Sequence, residues 1–245
     1  MAKQLAFNRD CMEAMKEFPD NFFDLAVVDP PYGINITGSH SVHVERERER
    51  ERAAIGGSGA FGGKKNADRG RRIIMPKRYH SFDDQTPPDA EYFSAIKRVS
   101  KNQIIWGGNY FLDYLGSTSC MICWDKCRTD LNFADGEFAW TSFKSPARIF
   151  RFKWNGMLQQ DMKNKEDRIH PTQKPVRLYQ WIYERFAKQG DKILDTHLGS
   201  GSSRIAAFES NLDFWGYEID KVYFDLQEER FNKYISQMNL FVDCP

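Results

Sequence analysis

The stretch Leu25-Ala26-Val27-Val28-Asp29-Pro30-Pro31-Tyr32 decides how the rest of the chain is organised. Its four apolar residues predict a buried strand, which ends in a carboxylate and two prolines. The prolines fix φ and remove two N–H donors, so the turn is stiff and its carbonyls stay free to accept. A carboxylate, free carbonyls and an aromatic ring suit a flat ligand that carries an exocyclic amine. A strand-end turn without a ligand is the plainer interpretation of the same residues.

The segments around this turn alternate between predicted strands and helices. A strand at 5–7 and a helix over 11–18 precede the strand at 24–28, which is the repeating unit of a parallel sheet. Later strands are predicted at 103–106, 119–124, 192–195 and 214–218, and later helices after Asp89, after Thr172, over 202–211 and over 221–237. Thr172 is expected to cap its helix, with Pro175 in the first turn. Segments 138–143 and 148–153 predict an antiparallel pair near the sheet edge.

Length and composition favour a single intracellular domain. The 245 residues suffice for one large domain, 1–245, with an inserted lobe. There is no run of about 18 apolar residues and no apparent signal peptide, so neither a membrane span nor secretion is expected, and the expected location is cytoplasmic. Five cysteines, an odd number, fit a reducing compartment. Cys120, Cys123 and Cys127 lack a nearby fourth ligand, which favours structural thiols over a metal site.

Charge is distributed unevenly along the chain, although the net charge is only +1. Residues 43–80 hold eleven Lys and Arg against five Asp and Glu, and 141–178 hold nine against three. Residues 205–245 hold three against eight. Two basic segments and an acidic tail favour a polyanion on one side of the molecule, and two solvated basic surfaces are the simpler alternative. Because 38–80 lacks apolar periodicity, it is predicted to be a mobile basic inserted lobe.

A second candidate site lies in the C-terminal strand–turn–helix–strand unit. The turn Gly199-Ser200-Gly201 follows a strand, and Glu218 ends the next strand. Glycines there let a ligand approach the backbone at a helix N-terminus, and a strand-end carboxylate can accept hydrogen bonds from two ribose hydroxyls. The dinucleotide fingerprint requires a third glycine where this chain has Arg204. A nucleoside such as S-adenosylmethionine is therefore favoured over NAD.

Three motifs together resemble those of the permuted β-class of DNA amino-methyltransferases. The blocks Asp29-Pro30-Pro31-Tyr32, His170-Pro171-Thr172-Gln173-Lys174-Pro175 and Asp195 to Gly201 occur in the order typical of that family. Asp10 and the stretch from Gly216 to Asp220 are also similar, and the resemblance spans nearly the whole chain except about 38–72. It implies an α/β fold of the Rossmann-like S-adenosylmethionine-dependent methyltransferase type, with a mostly parallel twisted sheet, an antiparallel edge pair and a circularly permuted motif order.

The resemblance also implies a role for each block. Asp29 and the Pro30 carbonyl, in the turn that Pro31 stiffens, would hold the target amine, and Tyr32 would stack on a base flipped from the duplex. Attack on the sulfonium methyl would be a direct in-line displacement without a covalent nucleophile. Lys174, with Thr172 nearby, would meet the carboxylate of the cofactor, and His197 stands where the family usually has an aromatic residue. The full set implied for cofactor binding is Asp10, Thr172, Lys174, Asp195, His197, Gly199, Ser200, Gly201, Glu218 and Asp220.

The expected substrate is duplex DNA. N6 of adenine is favoured over N4 of cytosine because the family usually pairs a leading Asp with adenine, although both amines offer two hydrogens to the same acceptors. N4-cytosine methylation and a non-catalytic DNA-binding relative stay open as alternatives, as do a homodimer and a restriction endonuclease partner. RNA or protein methylation is disfavoured by the block order. The DNA contacts are predicted in 38–80 and in about 144–169, at Arg69, Arg71, Arg72, Lys77, Arg148, Arg151 and Lys153.

Overall fold

The computed structural model describes residues 2–34, 79–80, 86–128, 134–155 and 158–242, with the backbone alone for 239–242. Its strands are β1 Gln4–Asn8, β2 Phe23–Val28, β3 Ser100–Trp106, β4 Ile122–Asp125, β5 Gly136–Thr141, β6 Arg148–Arg151, β7 Trp154–Asn155, β8 Leu158–Gln159, β9 Lys192–Asp195 and β10 Asp213–Glu218. Its helices are α1 Cys11–Met15, α2 Ala90–Val99, α3 Leu112–Leu115, α4 Val176–Phe186, α5 Ser202–Glu209 and α6 Lys221–Val242.

Eight of these strands form one mostly parallel sheet. Their order is β1-β10-β9-β2-β3-β5-β4-β6, and β7 and β8 form a separate antiparallel hairpin. Strands β1, β10, β9, β2 and β3 are parallel to one another, and β5 runs against both of its neighbours. This is a mixed, mostly parallel α/β sheet of the Rossmann-like type, as the sequence predicts.

Both faces of the central strands are covered by helices. On β2, Leu25 and Val27 pack into a core with residues of α4 and α5, whereas Ala26 and Val28 pack into a second core with α1 and α2. Each of these four residues is at most 1% exposed. Successive side chains of a strand point to opposite faces, so a strand buried on both sides has an unbroken apolar sequence. Two-sided burial therefore explains the run Leu25 to Val28 and holds Asp29 at a fixed position.

The predicted pairing of 138–143 with 148–153 is wrong. Strand β4 lies between β5 and β6, and Ile122 pairs antiparallel with Ala139 and parallel with Arg148. Alternation of apolar and polar residues indicates that a strand has one covered face, but it does not identify the neighbouring strand. The reversed strand β5 consequently lies inside the sheet, beside β3.

Helix α4 begins later than the sequence predicts, so Thr172 does not cap it. Pro175 is the N-cap residue, with extended backbone angles and no side-chain cap. A residue that precedes proline disfavours the helical region, so the helix does not extend back through Lys174. Thr172 Oγ1 lies instead 3.0 Å from His170 Nδ1. By contrast, Asp89 caps α2, the helix predicted to follow it, and accepts hydrogen bonds from the backbone N–H groups of Glu91 and Tyr92.

Most of the predicted lobe lies outside the described residues. Of 38–80, only Tyr79 and His80 are described, so Arg69, Arg71, Arg72 and Lys77 fall outside. Within the described ranges, no group of three or more His, Cys, Asp or Glu side chains is placed to hold a metal ion. None of the described helices is long and apolar enough to cross a membrane.

Candidate active site

The two candidate turns follow neighbouring strands. Strands β2 and β9 are adjacent and parallel, with Leu25 opposite Ile193 and Ala26 opposite Leu194. Because parallel strands end at the same edge of a sheet, Asp29 and the turn that follows Asp195 emerge side by side. Ligands of open α/β sheets bind at this carboxyl edge. The two candidate turns therefore share one edge of the sheet.

The Asp29–Tyr32 turn is internally hydrogen-bonded. The Tyr32 hydroxyl donates to Asp29 Oδ1 at 2.5 Å. Burial raises the pKa of Tyr32 well above its ordinary value, so the hydroxyl stays a donor. The Tyr32 ring stacks on Tyr110 at 5.2 Å with an interplanar angle of 22°. Gly107 lies against the same ring, and a Cβ there would be 2.2 Å from Tyr32 Cε1. A glycine at 107 is thus required for the position of the tyrosine.

Lys174 reaches this turn from the segment before α4. Its Nζ donates to Asp29 Oδ2 at 2.5 Å and to the Tyr32 hydroxyl at 3.2 Å. The side chain is only 3% exposed. Burial alone would lower the pKa of Lys174, but the carboxylates of Asp29 and Glu137 outweigh it and raise the pKa above its ordinary value. The structure therefore places this ammonium on Asp29, while its predicted contact with a cofactor carboxylate stays a prediction.

Glu137 is a residue of this cluster that the sequence did not reveal. Its Oε1 accepts a hydrogen bond from Lys126 Nζ at 2.5 Å, and its Oε2 lies 3.1 Å from Lys174 Nζ. Burial alone would raise the pKa of Glu137, but Lys174 and Lys126 outweigh it and lower the pKa to about 2. The only sequence signal was a charged residue at the start of an otherwise apolar strand.

The glycine turn is fixed by Glu218. Glu218 Oε2 accepts a hydrogen bond from the Gly199 N–H at 2.8 Å, and Oε1 accepts one from the Asp220 N–H at 2.9 Å. Burial raises the pKa of Glu218. Gly199 and Gly201 both have positive φ, at 51° and 72°. A Cβ at Gly199 would lie 3.9 Å from the His197 carbonyl oxygen and 4.0 Å from the His170 ring, which are ordinary contact distances, so the positive φ and not a lack of space favours glycine here.

Asp195 and His197 lie at the start of the same turn. Asp195 is 2% exposed and accepts hydrogen bonds from Ser203 Oγ at 2.5 Å and from the His197 N–H at 3.0 Å. Burial raises the pKa of Asp195 to about 7. His197 Nδ1 lies 2.9 Å from Thr196 Oγ1, which also contacts the Tyr92 hydroxyl. Burial lowers the pKa of His197 to about 4, so its imidazole is neutral at physiological pH.

A partly buried ion pair, which the sequence does not predict, supports the glycine turn from the side of α6. Arg230 on α6 donates through Nη1 to the Ser200 carbonyl at 2.8 Å and to Ser202 Oγ at 2.9 Å. Its Nη2 donates to Glu166 Oε2 at 2.7 Å, and Glu166 Oε1 accepts from the Val176 N–H at 3.0 Å. The pair therefore connects the glycine turn with the start of α4. No local sequence pattern indicated it, since the partners are far apart in the chain.

Asp10 and Asp220, both predicted to contact a cofactor, act here as helix caps. Asp10 Oδ1 accepts a hydrogen bond from the Glu13 N–H at 2.9 Å. Asp220 Oδ1 accepts one from the Val222 N–H at 2.8 Å, and its Oδ2 lies 3.3 Å from His80 Nε2. A capping carboxylate keeps further lone pairs, so a cofactor role for either residue stays a prediction.

The described residues predicted to bind DNA lie away from the two turns. Arg148 and Arg151 on β6 and Lys153 after it are exposed. Strand β6 is at the sheet edge, and three strands separate it from β2. At a spacing of about 4.8 Å between strands, β6 is roughly 19 Å from β2. Arg151 Nε also pairs with Asp125 at 3.2 Å. These side chains do not contact the Asp29–Tyr32 turn.

The fold and the paired strand-end turns define a class of protein, the Rossmann-like methyltransferases. A family model described as DNA methylase, N6_N4_Mtase, matches residues 64–229. Because this match covers more than half of the chain, the protein belongs to that family of DNA methylases.

Relatives among known proteins include type II methyltransferases. The type II methyltransferase M.BglII of Bacillus subtilis is 24% identical over 256 residues, which cover 90% of this chain and 66% of the relative. The type II methyltransferase M.HpaI of Haemophilus parainfluenzae is 34% identical over 86 residues, which cover 34% of this chain and 27% of the relative. The matched region thus spans just under two thirds of the first relative and about a quarter of the second.

Solved structures share the fold at low sequence identity. The M1.HpyAVI–SAM complex has a TM-score of 0.53 and 18% identity, covering 92% of this chain and 98% of that one. TTHA0409 of Thermus thermophilus, complexed with S-adenosyl-L-methionine, has a TM-score of 0.54 and 17% identity, covering 95% of both chains. The cytosine-N4-specific PvuII DNA methyltransferase has a TM-score of 0.55 and 11% identity, covering 94% of this chain and 87% of that one.

Proposed function

We propose that this chain is a DNA methyltransferase of the permuted β-class that transfers a methyl group from S-adenosylmethionine to N6 of adenine in duplex DNA. One observation carries the proposal. The adjacent parallel strands β2 and β9 are followed, at the same sheet edge, by the Asp29–Tyr32 turn and by the glycine turn. An acceptor nitrogen and a methyl donor must meet in line, and this arrangement brings their two binding turns side by side.

The residues of the glycine turn fit S-adenosylmethionine. Gly199 is partly exposed, and Glu218 beside it uses one hydrogen bond per carboxylate oxygen. Each oxygen keeps a second lone pair, so Glu218 can still accept from two ribose hydroxyls. When bound, the cofactor supplies an electrophilic methyl group on a sulfonium, which is a good leaving group. Glu218 is proposed to bind the ribose and Asp10 the adenine amine.

The proposed role of the Asp29–Tyr32 turn is to position the target amine. Asp29 accepts one hydrogen bond at each carboxylate oxygen, from Tyr32 and from Lys174. Each oxygen keeps a lone pair, so Asp29 and the Pro30 carbonyl can accept the two hydrogens of the target amine. The nitrogen lone pair is then directed away from these acceptors, towards the methyl group. After transfer the methylated amine is acidic and loses a proton, so Asp29 need not act as a full base.

Tyr32 is proposed to stack on the flipped base. Its ring is fixed on three sides, by the hydrogen bond to Asp29, by Gly107 and by stacking on Tyr110. Tyr110 is itself 52% exposed, which leaves an aromatic surface open beside the turn. A rigid aromatic platform offsets part of the free energy lost when the base leaves the duplex stack.

Methylation of N4 of cytosine is the second candidate. The PvuII enzyme, cytosine-N4-specific by its name, shares the fold with a TM-score of 0.55. Both target amines present two hydrogens to the same acceptors, so the geometry of Asp29 does not separate them. The preference for adenine rests on the motif form Asp-Pro-Pro-Tyr.

The exposed basic edge is proposed to contact DNA phosphates. Arg148, Arg151 and Lys153 extend along the outermost strand and are exposed. Affinity for DNA should then fall steeply with salt, with the slope reduced by about 0.9 for each phosphate contact removed.

Transfer of a labelled methyl group to duplex DNA, followed by nucleoside analysis, tests the proposal. Wild type should yield labelled N6-methyladenine. Asp29→Ala should abolish turnover and keep cofactor binding by calorimetry, whereas the matched surface variant Asp113→Ala should behave as wild type. Label in N4-methylcytosine alone would overturn the adenine assignment. Label only in RNA or protein, or DNA binding without product, would overturn the whole proposal.

A further inference from the structure

Glu137 lies outside every motif block, yet its carboxylate lies beside the Lys174 ammonium that binds Asp29. It is the second residue of β5, the reversed strand that lies beside β3. Its side chain is 25% exposed and stands between the ammonium groups of Lys126 and Lys174. Charges therefore alternate along a continuous row, Lys126, Glu137, Lys174 and Asp29, with contacts of 2.5, 3.1 and 2.5 Å.

The buried ammonium of Lys174 has three hydrogens and three oxygen neighbours. These are Asp29 Oδ2 at 2.5 Å, Glu137 Oε2 at 3.1 Å and the Tyr32 hydroxyl at 3.2 Å. Glu137 Oε2 has no well-aligned hydrogen bond, so its attraction to Lys174 is mainly between charges. A buried ammonium is costly unless it is paired on several sides, so removal of one partner changes where it lies.

Glu137 is itself held in place. Lys126 Nζ donates to Glu137 Oε1 at 2.5 Å and lies 5.0 Å from the centroid of the Trp124 ring. Trp124 is 1% exposed, so this end of the row rests on the core of the sheet. The row therefore connects a rigid part of the protein with the two side chains proposed to receive the target base.

We propose that Glu137 is a positioning residue for methyl transfer. It holds the Lys174 ammonium against Asp29 and Tyr32, and so fixes the carboxylate and the ring that receive the base. This inference rests on the proposed function. In an alternative role, Glu137 only neutralises the charges of Lys126 and Lys174. In that case its removal would lower stability, but its effect on kcat would not depend on Lys174.

The first test is Glu137→Gln, which keeps the shape of the side chain and removes its charge. We expect kcat to fall by about tenfold to a hundredfold, because the substitution removes one charge-assisted contact at the site. The calorimetric Kd for the cofactor should stay within about twofold of wild type. Glu184→Gln is the matched control, because that carboxylate is half-exposed on α4 and pairs with Arg177. It should leave kcat unchanged.

A double-mutant cycle separates action through Lys174 from a structural role. In the Lys174→Met background, the further change Glu137→Gln should alter kcat by less than about twofold, because Glu137 then has nothing to position. Glu137→Asp, which restores the charge, should recover part of the kcat. Thermal unfolding of each variant checks that it folds. If Lys174→Met turns over too slowly to measure, fluorescence of 2-aminopurine at the target position reports the flipped base instead.

Two results would overturn the inference. One is a wild-type kcat for Glu137→Gln. The other is a loss from Glu137→Gln that multiplies with the loss from Lys174→Met, which would show independent roles. These outcomes differ from a failure of the proposed function, in which the wild-type chain itself leaves duplex DNA unmethylated and the inference falls with it.

Discussion

Replacement of Gly107 by alanine should displace Tyr32 and so disable the Asp29–Tyr32 turn, although no residue proposed to bind a reactant is itself substituted. Gly107 follows β3 with φ 66° and ψ 18°, in the left-handed region. A Cβ there would lie 2.2, 2.5 and 2.7 Å from Cε1, Cδ1 and Cζ of Tyr32. The left-handed backbone costs alanine roughly 1–2 kcal/mol. Overpacking against the ring adds roughly 1–3 kcal/mol.

Since a Cβ is fixed to the backbone, the Tyr32 ring must give way. Its hydroxyl then loses the 2.5 Å hydrogen bond to Asp29, and its face leaves the stack with Tyr110. Chemical denaturation should show a loss of roughly 2–5 kcal/mol in unfolding free energy, and methyl-transfer assays a fall in kcat of at least about tenfold. Cofactor affinity should hold, because Gly107 packs against Tyr32 and strand β2 lies between β3 and β9, which leads into the glycine turn.

Gly190→Ala is the matched control. Gly190 has φ 85°, and an added Cβ would meet nothing within 4 Å. It should therefore show only the backbone strain of roughly 1–2 kcal/mol and full activity. If Gly107→Ala were no less stable than Gly190→Ala and kept the wild-type kcat, the rigid placement of Tyr32 would be refuted.

Three further variants test the other side of the site. Arg230→Met should remove the hydrogen bonds that hold the glycine turn to α6. We expect a loss of about 3 kcal/mol in unfolding free energy and a cofactor Kd raised about tenfold. An unchanged calorimetric Kd would contradict this role of Arg230. Burial raises the pKa of Asp195 to about 7 from the ordinary value of 3.8, so its contribution to stability declines as pH rises between these values. The unfolding free energy of wild type minus that of Asp195→Asn should thus fall by up to about 4 kcal/mol across this window, and a flat difference would contradict the shift. His197→Phe should cost only a few-fold in kcat and leave its pH profile unchanged near neutrality, because burial keeps the imidazole neutral with a pKa of about 4; complete loss of activity would show a specific role.

Local patterns revealed the elements that build the site. The apolar run Leu25 to Val28 and the strand at 192–195 appear in the structure as β2 and β9, and parallel winding explains why both strands end at one edge of the sheet. Such runs can be recognised because both faces of each central strand are buried. The glycine turn could be recognised for a similar reason, since positive φ at Gly199 and Gly201 restricts the residue type.

Contacts between segments that are distant in the chain could not be predicted from local sequence patterns. Glu137 and Arg230 belong to no motif, and their importance lies in partners 37 and 64 residues away, at Lys174 and Glu166. A single charged residue in a strand or helix looks the same whether it faces solvent or a buried ion. The order of β5, β4 and β6 was missed for a related reason, because alternation does not specify a strand's neighbours.

The central claim is that the Asp29–Tyr32 turn presents an adenine amine to a methyl donor held by the adjacent glycine turn. Methylation-aware sequencing of DNA from cells that express the chain, in a host without its own adenine methylation, tests this most directly. The account predicts N6-methyladenine at a recurrent sequence with wild type, and its absence with Asp29→Ala. Unmodified DNA with wild type, or the same modification with both proteins, would contradict it.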